Sequence, residues 1–393
     1  MFDIVSHRSR SLRVALKAAA LAVPLVWLGA TNASAKDQKT ITAVMHADVK
    51  IFDPIVNTAD ITSRFALMVF DTLFSLDQNL APQPQKVAKV DRVEWVVLPD
   101  PQSAIQALNR GQIDFIEQPQ VDLLPLLKAN KDVRIEFMSP LGTQGILRLN
   151  HLQPPFTDVR ARRAMQWLVN QRDFMTAAIG DPALWKVCGS FLICDQPMAF
   201  QDGAGMLNED IPNAQRVAKA KELLQQAGYK GELVVLLDPV TNPRFHAANL
   251  VFAEALKKAG VNVQLDTMDW GTLVTRRTKK DPAGQGGWSI FFTSNGGLEA
   301  SNPAFNISTS AGCDKAWWGW PCDPKLEELR SQWALATTLE ARKKVAQQIQ
   351  VLATEDVIYI PWGVWKSPSA MRVSLKNLLK VPDSIVFWNV EKD

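Results

Sequence analysis

Residues 232–268 decide the fold class. They begin with an apolar run, Glu232-Leu-Val-Val-Leu-Leu237, pass through Asp238 and Pro239, and continue as His246-Ala-Ala-Asn-Leu-Val-Phe-Ala-Glu-Ala-Leu-Lys-Lys-Ala259. Gly260 then precedes Val261-Asn-Val-Gln-Leu-Asp-Thr-Met268. The first run is short and apolar, which suits a buried strand; the second has helical length and a glycine stop. Strand, helix and strand in that order make a right-handed β-α-β unit.

The same alternation extends in both directions. Upstream, 93–98 reads as a strand, 102–109 as a helix stopped by Gly111, and 113–116 as a second strand. Further strands are expected at 40–45, 133–137, 145–150, 288–293 and 357–361. Helices are expected at 123–128, from an Asp158 cap to about 169, at 214–227 before Gly228, at 324–336 and at 339–355. Residues 63–77 are apolar throughout and helical in their first half. The pattern predicts α/β lobes, and 393 residues suffice for two of them.

Composition narrows the function. The chain has 43 Lys+Arg and 40 Asp+Glu. Residues 1–35 hold four of the cations and one acid, which leaves the rest balanced at 39 of each sign. A binder of nucleic acid relies on many phosphate contacts and is not expected from such a chain. Thirteen Trp stand against two Tyr, so indole surfaces matter here.

Residues 1–35 read as a secretory signal peptide. Arg8, Arg10, Arg13 and Lys17 precede an apolar run over 18–30, and Ala33-Ser-Ala35 gives the small-residue cleavage pattern. The run is too short to span a bilayer. No cysteine lies near the cut and no arginine pair precedes it, so Sec export without a lipid anchor is expected. In the oxidising space beyond the membrane, Cys188 with Cys194 and Cys313 with Cys322 read as local disulfides. Each is worth roughly 2–3 kcal/mol by loop entropy. Neither pair has zinc-site spacing, and no metal or other cofactor is expected.

Catalytic signatures are missing from the sequence. His46, His151 and His246 stand outside any H-E-x-x-H or G-x-S-x-G context, and Gly284-Gln-Gly-Gly287 precedes a strand as a turn. Asp266 and Asp269 are three apart before Trp270 at an expected strand end. One helix cap and one solvated charge is the simpler account of that pair than acid–base chemistry. Aromatics cluster instead, in Trp317-Trp-Gly-Trp320 inside the second cysteine pair and in Trp362 and Trp365. They suit core packing or the lining of a cleft equally well.

Several stretches together resemble the peptide/nickel class, family 5, of extracytoplasmic solute-binding proteins of ABC importers. Phe52-Asp-Pro54, Val69-Phe-Asp-Thr-Leu-Phe-Ser-Leu-Asp77 and Pro82-Gln-Pro84 are similar to the family's opening. Arg92-Val-Glu-Trp-Val-Val-Leu-Pro-Asp-Pro101 with Ala107-Leu-Asn-Arg-Gly-Gln-Ile-Asp-Phe115 is similar to its mid-domain strand–helix–strand. Leu149-Asn150, Pro154-Pro-Phe156 and Val159-Arg-Ala-Arg-Arg-Ala-Met165 resemble the passage to the second lobe. Residues 311–322 and Ile360-Pro-Trp-Gly363 resemble the disulfide loop and return strand.

The resemblance implies a two-lobed flytrap with mixed sheets. Its expected parts are a signal peptide at 1–35, lobe I at 36–150, lobe II at 151–360 and a return to lobe I at 361–393. It also implies a non-enzymatic, monomeric periplasmic receptor that captures a peptide or small solute and delivers it to an inner-membrane ABC permease. In peptide binders an acidic residue four before the Pro of an Asp/Asn-Pro pair receives the ligand ammonium. Glu299 holds that position before Asn302-Pro303, on a loop with Asn295-Gly-Gly297. Arg244 stands near, but not on, the position of a carboxylate-binding arginine. Trp270, Trp362 and Trp365 complete the expected ligand-binding set. One departure is large. After Gln85 the chain passes through Lys86-Val-Ala-Lys-Val90 into a stretch that elsewhere lies well downstream, as if most of a lobe I subdomain were deleted. That would leave apolar surface open around Phe65, Met68, Phe70 and Phe74. Alternatives are the same fold binding a metal chelate, opine or cationic metabolite, a non-functional remnant, or a secreted hydrolase using Asp266, Asp269 or His246.

Overall fold

The unit at 232–268 folds as strand Val234–Pro239, helix Pro243–Lys258 and strand Val263–Met268, with the strands parallel and Val263 opposite Val234. The helix starts three residues before His246, because the Asn242 side chain caps Phe245 N–H and Pro243 occupies the first turn. Gly260, at φ +81°, ends it. The computed structural model describes residues 40–54, 59–70, 74–76, 81–84, 89–200 and 209–393, with backbone alone at 74–76 and 82–84. The expected signal peptide and the join at 85–88 lie outside the described residues.

This unit is one edge of a six-stranded mixed sheet. The order is Val263–Met268, Val234–Pro239, Ile290–Gly296, Thr143–Leu149, Ile360–Trp365 and Trp185–Lys186. The first three run parallel and the remaining pairings are antiparallel. Alternation along each strand sends Leu147, Leu236 and Phe292 to one face and Ile146, Leu237 and Phe291 to the other. Helices Val159–Leu168, Gln171–Ala178 and Pro243–Lys258 cover the first face. Helices Trp270–Arg276, Pro324–Leu335 and Leu339–Asp356 cover the second. Helices thus cover both faces of this mixed sheet, as its parallel strands require.

A five-stranded sheet makes the first lobe, in the order Arg92–Val96, Thr40–Val44, Phe115–Ile116, Ser369–Arg372 and Val133–Glu136. Helices Pro101–Asn109 and Leu124–Lys128 pack on one face through Ile105, Leu108 and Leu127. On the other face lie Met68 of helix Asp60–Val69 and the tail residues Ile385, Phe387 and Val390.

Two segments, 137–142 and 366–368, carry the chain between sheets. They lie together at Gly142, where an added Cβ would sit 2.7 Å from the Trp365 carbonyl at φ +80°. The strand expected at 145–150 to end the first lobe is Thr143–Leu149 and stands in the middle of the second sheet. The strand expected at 357–361 is Ile360–Trp365, also of the second sheet. Both cysteine pairs are bonded, Cys188 to Cys194 and Cys313 to Cys322.

Trp270 does not end a strand. It opens helix Trp270–Arg276, because Asp269 caps the turn through Thr272 N–H and hydroxyl at 3.1 and 2.5 Å. Asp266 is likewise not a free solvated charge; it pairs with Arg276 at 3.0 Å.

Candidate functional site

A cavity of about 330 Å³ lies between the two lobes. Its floor on the first lobe starts from the end of the short strand Phe115–Ile116, which places Glu117 beneath the cleft. Glu117 is buried and tied on several sides. It accepts the His46 backbone N–H and Nδ1–H, each at 2.8 Å, and pairs with Arg64. Burial and the Arg64 charge lower the His46 pKa to about 3, which keeps the ring neutral. Arg64 and Asp60 share one face of helix Asp60–Val69 at i, i+4 spacing, and both line the cavity.

The second lobe supplies the opposite wall. Glu299 begins a one-turn helix, Glu299–Ser301, just past the end of strand Ile290–Gly296. Asp383, from the tail packed on the first lobe, reaches across to it. Its carboxylate accepts Leu298 N–H at 2.6 Å and Glu299 N–H at 3.0 Å. Gly296 lets this approach happen, since any Cβ there would fall 2.3 Å from the Asp383 carboxyl carbon. Arg244 bridges the lobes a second time by donating to Gln118.

These contacts crowd acids together. Burial first, then the charges of Asp60 and Asp383, push the Glu299 carboxyl up to about 8. Burial, with Asp60 adding, pushes Asp383 up to about 6, although its two backbone hydrogen bonds oppose the shift. Glu299 has no ion-pair partner among the described residues. Besides Arg64, two more cations face the same space. Burial lowers Arg244 to about 10 and Arg277 to about 9.

The residues expected at the site fall into three groups. Glu299, Arg244, Trp270 and Trp365 line the cavity, with the Trp270 ring tilted against Phe245 at 5.2 Å. Asn295 also borders it, but its amide is bound to Asn306 at 2.9 Å and Ser308 at 3.1 Å, so it shapes the loop. Trp362 is not at the site. It is fully buried against Phe292 and Phe174, and its ring lies so close to Gly145 that a Cβ there would be 2.3 Å away. The hydrolase candidates are also accounted for. His246 Nδ1 lies 2.9 Å from buried Asp238, and no hydroxyl or thiol is hydrogen-bonded to its ring among the described residues.

Sequence reasoning missed Asp60, Arg64, Glu117, Arg277 and Asp383. The i, i+4 acid–base pair in an otherwise apolar helix was an available signal for the first two. Arg277 sits in a run of four cations over 275–280 that looks solvated, and Asp383 in a tail with no pattern.

Comparison with known proteins places this geometry. Residues 81–317 match the family model described as bacterial extracellular solute-binding proteins, family 5 Middle. A "Probable peptide ABC transporter periplasmic-binding protein" of Sinorhizobium fredii is 37% identical over 314 residues, which cover 78% of this chain and 57% of that one. A "Probable di/tripeptide-binding protein 5" of Pseudomonas aeruginosa is 23% identical over 69% of this chain and 50% of its own length. Among solved structures, a Pseudoalteromonas dipeptide-binding protein in complex with Met-Leu superposes with TM-score 0.64 at 17% identity, over 81% of this chain and 61% of that one. AgaA of A. tumefaciens R10 in complex with agropinic acid gives 0.65 at 17%, over 78% and 61%. The fold therefore hosts chemically different ligands and does not choose between them. The chain spans between half and about three fifths of the length of these proteins. It shares their two-lobed architecture. With a family model over residues 81–317 and a 37%-identical relative over most of its length, the chain belongs to family 5 of the bacterial extracellular solute-binding proteins.

Proposed function

We propose that the protein is a periplasmic receptor that closes its two lobes on an amine-bearing solute of the peptide class and presents it to an inner-membrane ABC permease. The observation that supports this reading is the Glu299 carboxyl. It lies in the inter-lobe cavity beside Asp383 and Asp60, and no cation among the described residues pairs with it. A carboxyl so placed is held neutral by its surroundings and ionises once an ammonium arrives to pair with it. Capture then releases a proton at neutral pH.

The test uses calorimetry with a pool of random tripeptides. Glu299→Gln is expected to weaken binding by roughly 1.5–3 kcal/mol, the scale of a hydrogen bond to a charged group. Near pH 7 the wild-type binding heat should also vary with the ionisation enthalpy of the buffer, while that of the variant should not. Unchanged affinity in the variant would remove Glu299 from the site.

A further inference from the structure

Strand Arg92–Val96 ends the five-stranded sheet. It pairs in parallel with Thr40–Val44 on one side and, among the described residues, with no strand on the other. Such an edge offers a row of backbone N–H and C=O groups to any strand that comes alongside. Edges are commonly blunted by proline, lysine or a bulge. Residues 92–96 read Arg-Val-Glu-Trp-Val, with neither proline nor lysine, and their register with Thr40–Val44 is unbroken.

The side chains sort by face. Val93 and Trp95 lie on the face that carries Met68 and the tail, beside an apolar hollow. There Trp95 continues an aromatic row through Phe65 to Phe52, with ring centroids 6.2 and 5.1 Å apart, and Phe52 is 59% exposed. By alternation Arg92 and Glu94 project from the other face, where they pair with each other at 2.8 Å and stay 62% and 36% exposed.

Charge selects the partner. Two copies joined about a two-fold axis meet antiparallel and set residues of one face opposite each other, which leaves few registers. Centred on Arg92, the pairing sets two guanidinium groups against each other; centred on Glu94, two carboxylates. Centred on Trp95, it sets Arg92 against Leu98 and Glu94 against Val96. Centred on Val93, it sets Arg92 of each copy against Glu94 of the other, and Val90 against Val96. Opposite charges directly across an antiparallel pair stabilise it, and like charges destabilise it. The strand is therefore complementary to itself about Val93. In that register both hollows fall on the same face of the joined sheet, side by side across the axis.

We infer that this edge is a homodimer interface, in which two copies of the chain join strand Arg92–Val96 antiparallel about Val93 into one continuous sheet. The dimer replaces the monomer that the family resemblance implies. It does not depend on the solute, because no residue of 92–96 lines the inter-lobe cavity.

Size-exclusion chromatography with light scattering on the purified chain tests this. Across a dilution series the wild type should pass from dimer to monomer. Arg92→Glu and Glu94→Arg each set like charges across the axis and should weaken association by about tenfold or more. The double variant Arg92→Glu/Glu94→Arg exchanges the signs and should recover it. All four cysteines are in disulfides, so one new thiol per chain reports the register. Val93→Cys should cross-link to itself under mild oxidation, while Arg92→Cys and Glu94→Cys should do so only when mixed with each other. A wild type that is monomeric at every concentration overturns the inference. So does a dimer indifferent to both charge reversals, or assembly beyond two copies. If a charge variant fails to fold, the three cysteine variants decide: Arg92→Cys linking to itself as readily as Val93→Cys would also overturn the pairing.

Discussion

The two sheets are built from similar strands and finished differently. In the second, strands Val234–Pro239 and Ile360–Trp365 are buried at every position, because helices close both faces. In the first, the edge strand Arg92–Val96 has no buried residue. Beside it lies a hollow of about 840 Å³ lined by Phe65, Met68, Trp95, Val97, Phe387 and Trp388. Phe52, Val69 and Phe70 are each more than half exposed near that face. The hollow is larger than the inter-lobe cleft, and size alone would make it the binding site. Charge argues otherwise. Asp48 and Arg92 of the hollow are exposed and already paired, with Lys50 and Glu94. The cleft holds Glu299 and Arg277 desolvated and without an ion-pair partner among the described residues. An apolar hollow is what lost cover would leave, whereas desolvated polar groups without partners are what the proposed solute would meet.

The largest expected effect breaks or confirms the packing side of that contrast. Phe292 is fully buried in the second sheet between Phe174 at 5.9 Å and Phe252 at 5.7 Å. Phe292→Ala should cost about 4 kcal/mol in denaturant unfolding, through lost burial and the cavity left behind. A cost below about 1 kcal/mol would mean that the second sheet is no better packed than the first.

What the sequence made legible follows the same divide. The second sheet was readable because periodicity reports burial: the unit at 232–268 announced two strands and a helix by apolar spacing and a glycine stop. Its boundaries moved where one polar side chain decided them. Asn242 started a helix early, and Asp269 turned an expected strand end into a helix start at Trp270. Helix Gln171–Ala178 escaped notice because its apolar face is short, although Asn170 caps it. The site was half legible. Glu299 came from its place before Asn302-Pro303. Asp383 and Arg277 could not, because their roles depend on contacts between segments more than 80 residues apart or on burial under another loop. Trp362 and Trp365, three apart on either side of Gly363, divided between core and cleft by packing against Gly145, which no local pattern encodes.

A smaller effect sharpens the electrostatic side. In the unliganded protein Glu299 binds its proton up to about pH 8, while the unfolded chain releases it near the ordinary 4.5. The folded state thus holds more protons, and stability present below 4.5 is lost as pH rises through 8. Asp383, with its value near 6, acts the same way at lower pH. Buried His46 and His151 oppose both acids, since their lowered values remove stability as pH falls below 6.5. Arg148 and Arg277, near 9, begin to oppose Glu299 only above pH 8. The interval from 6.5 to 8 therefore isolates Glu299. The melting temperature should fall across it in the wild type and stay nearly level in Glu299→Gln. A level wild-type profile, or a fall retained in the variant, would show that the cleft carboxyl is solvated like any surface acid.

The smallest effect concerns the hollow. The stretch expected to lose its cover was Phe65, Met68, Phe70 and Phe74. Phe65 and Met68 line the hollow and Phe70 is 52% exposed, while the side chain of Phe74 lies outside the described residues. A subdomain missing after Gln85 would account for the hollow, and the match to the Sinorhizobium relative covers 57% of that protein. If so, Phe70 and Val97, at 52% and 61% exposure, touch too little to hold the fold. Phe70→Ser and Val97→Thr should each change unfolding free energy by less than about 0.5 kcal/mol. They should nonetheless reduce concentration-dependent association in size-exclusion chromatography, because a contiguous apolar patch is what drives it. A loss above about 1 kcal/mol from either substitution would mean that these side chains are covered in solution. The first sheet would then be as well finished as the second, and the contrast between missing cover and missing ligand would have to be drawn elsewhere.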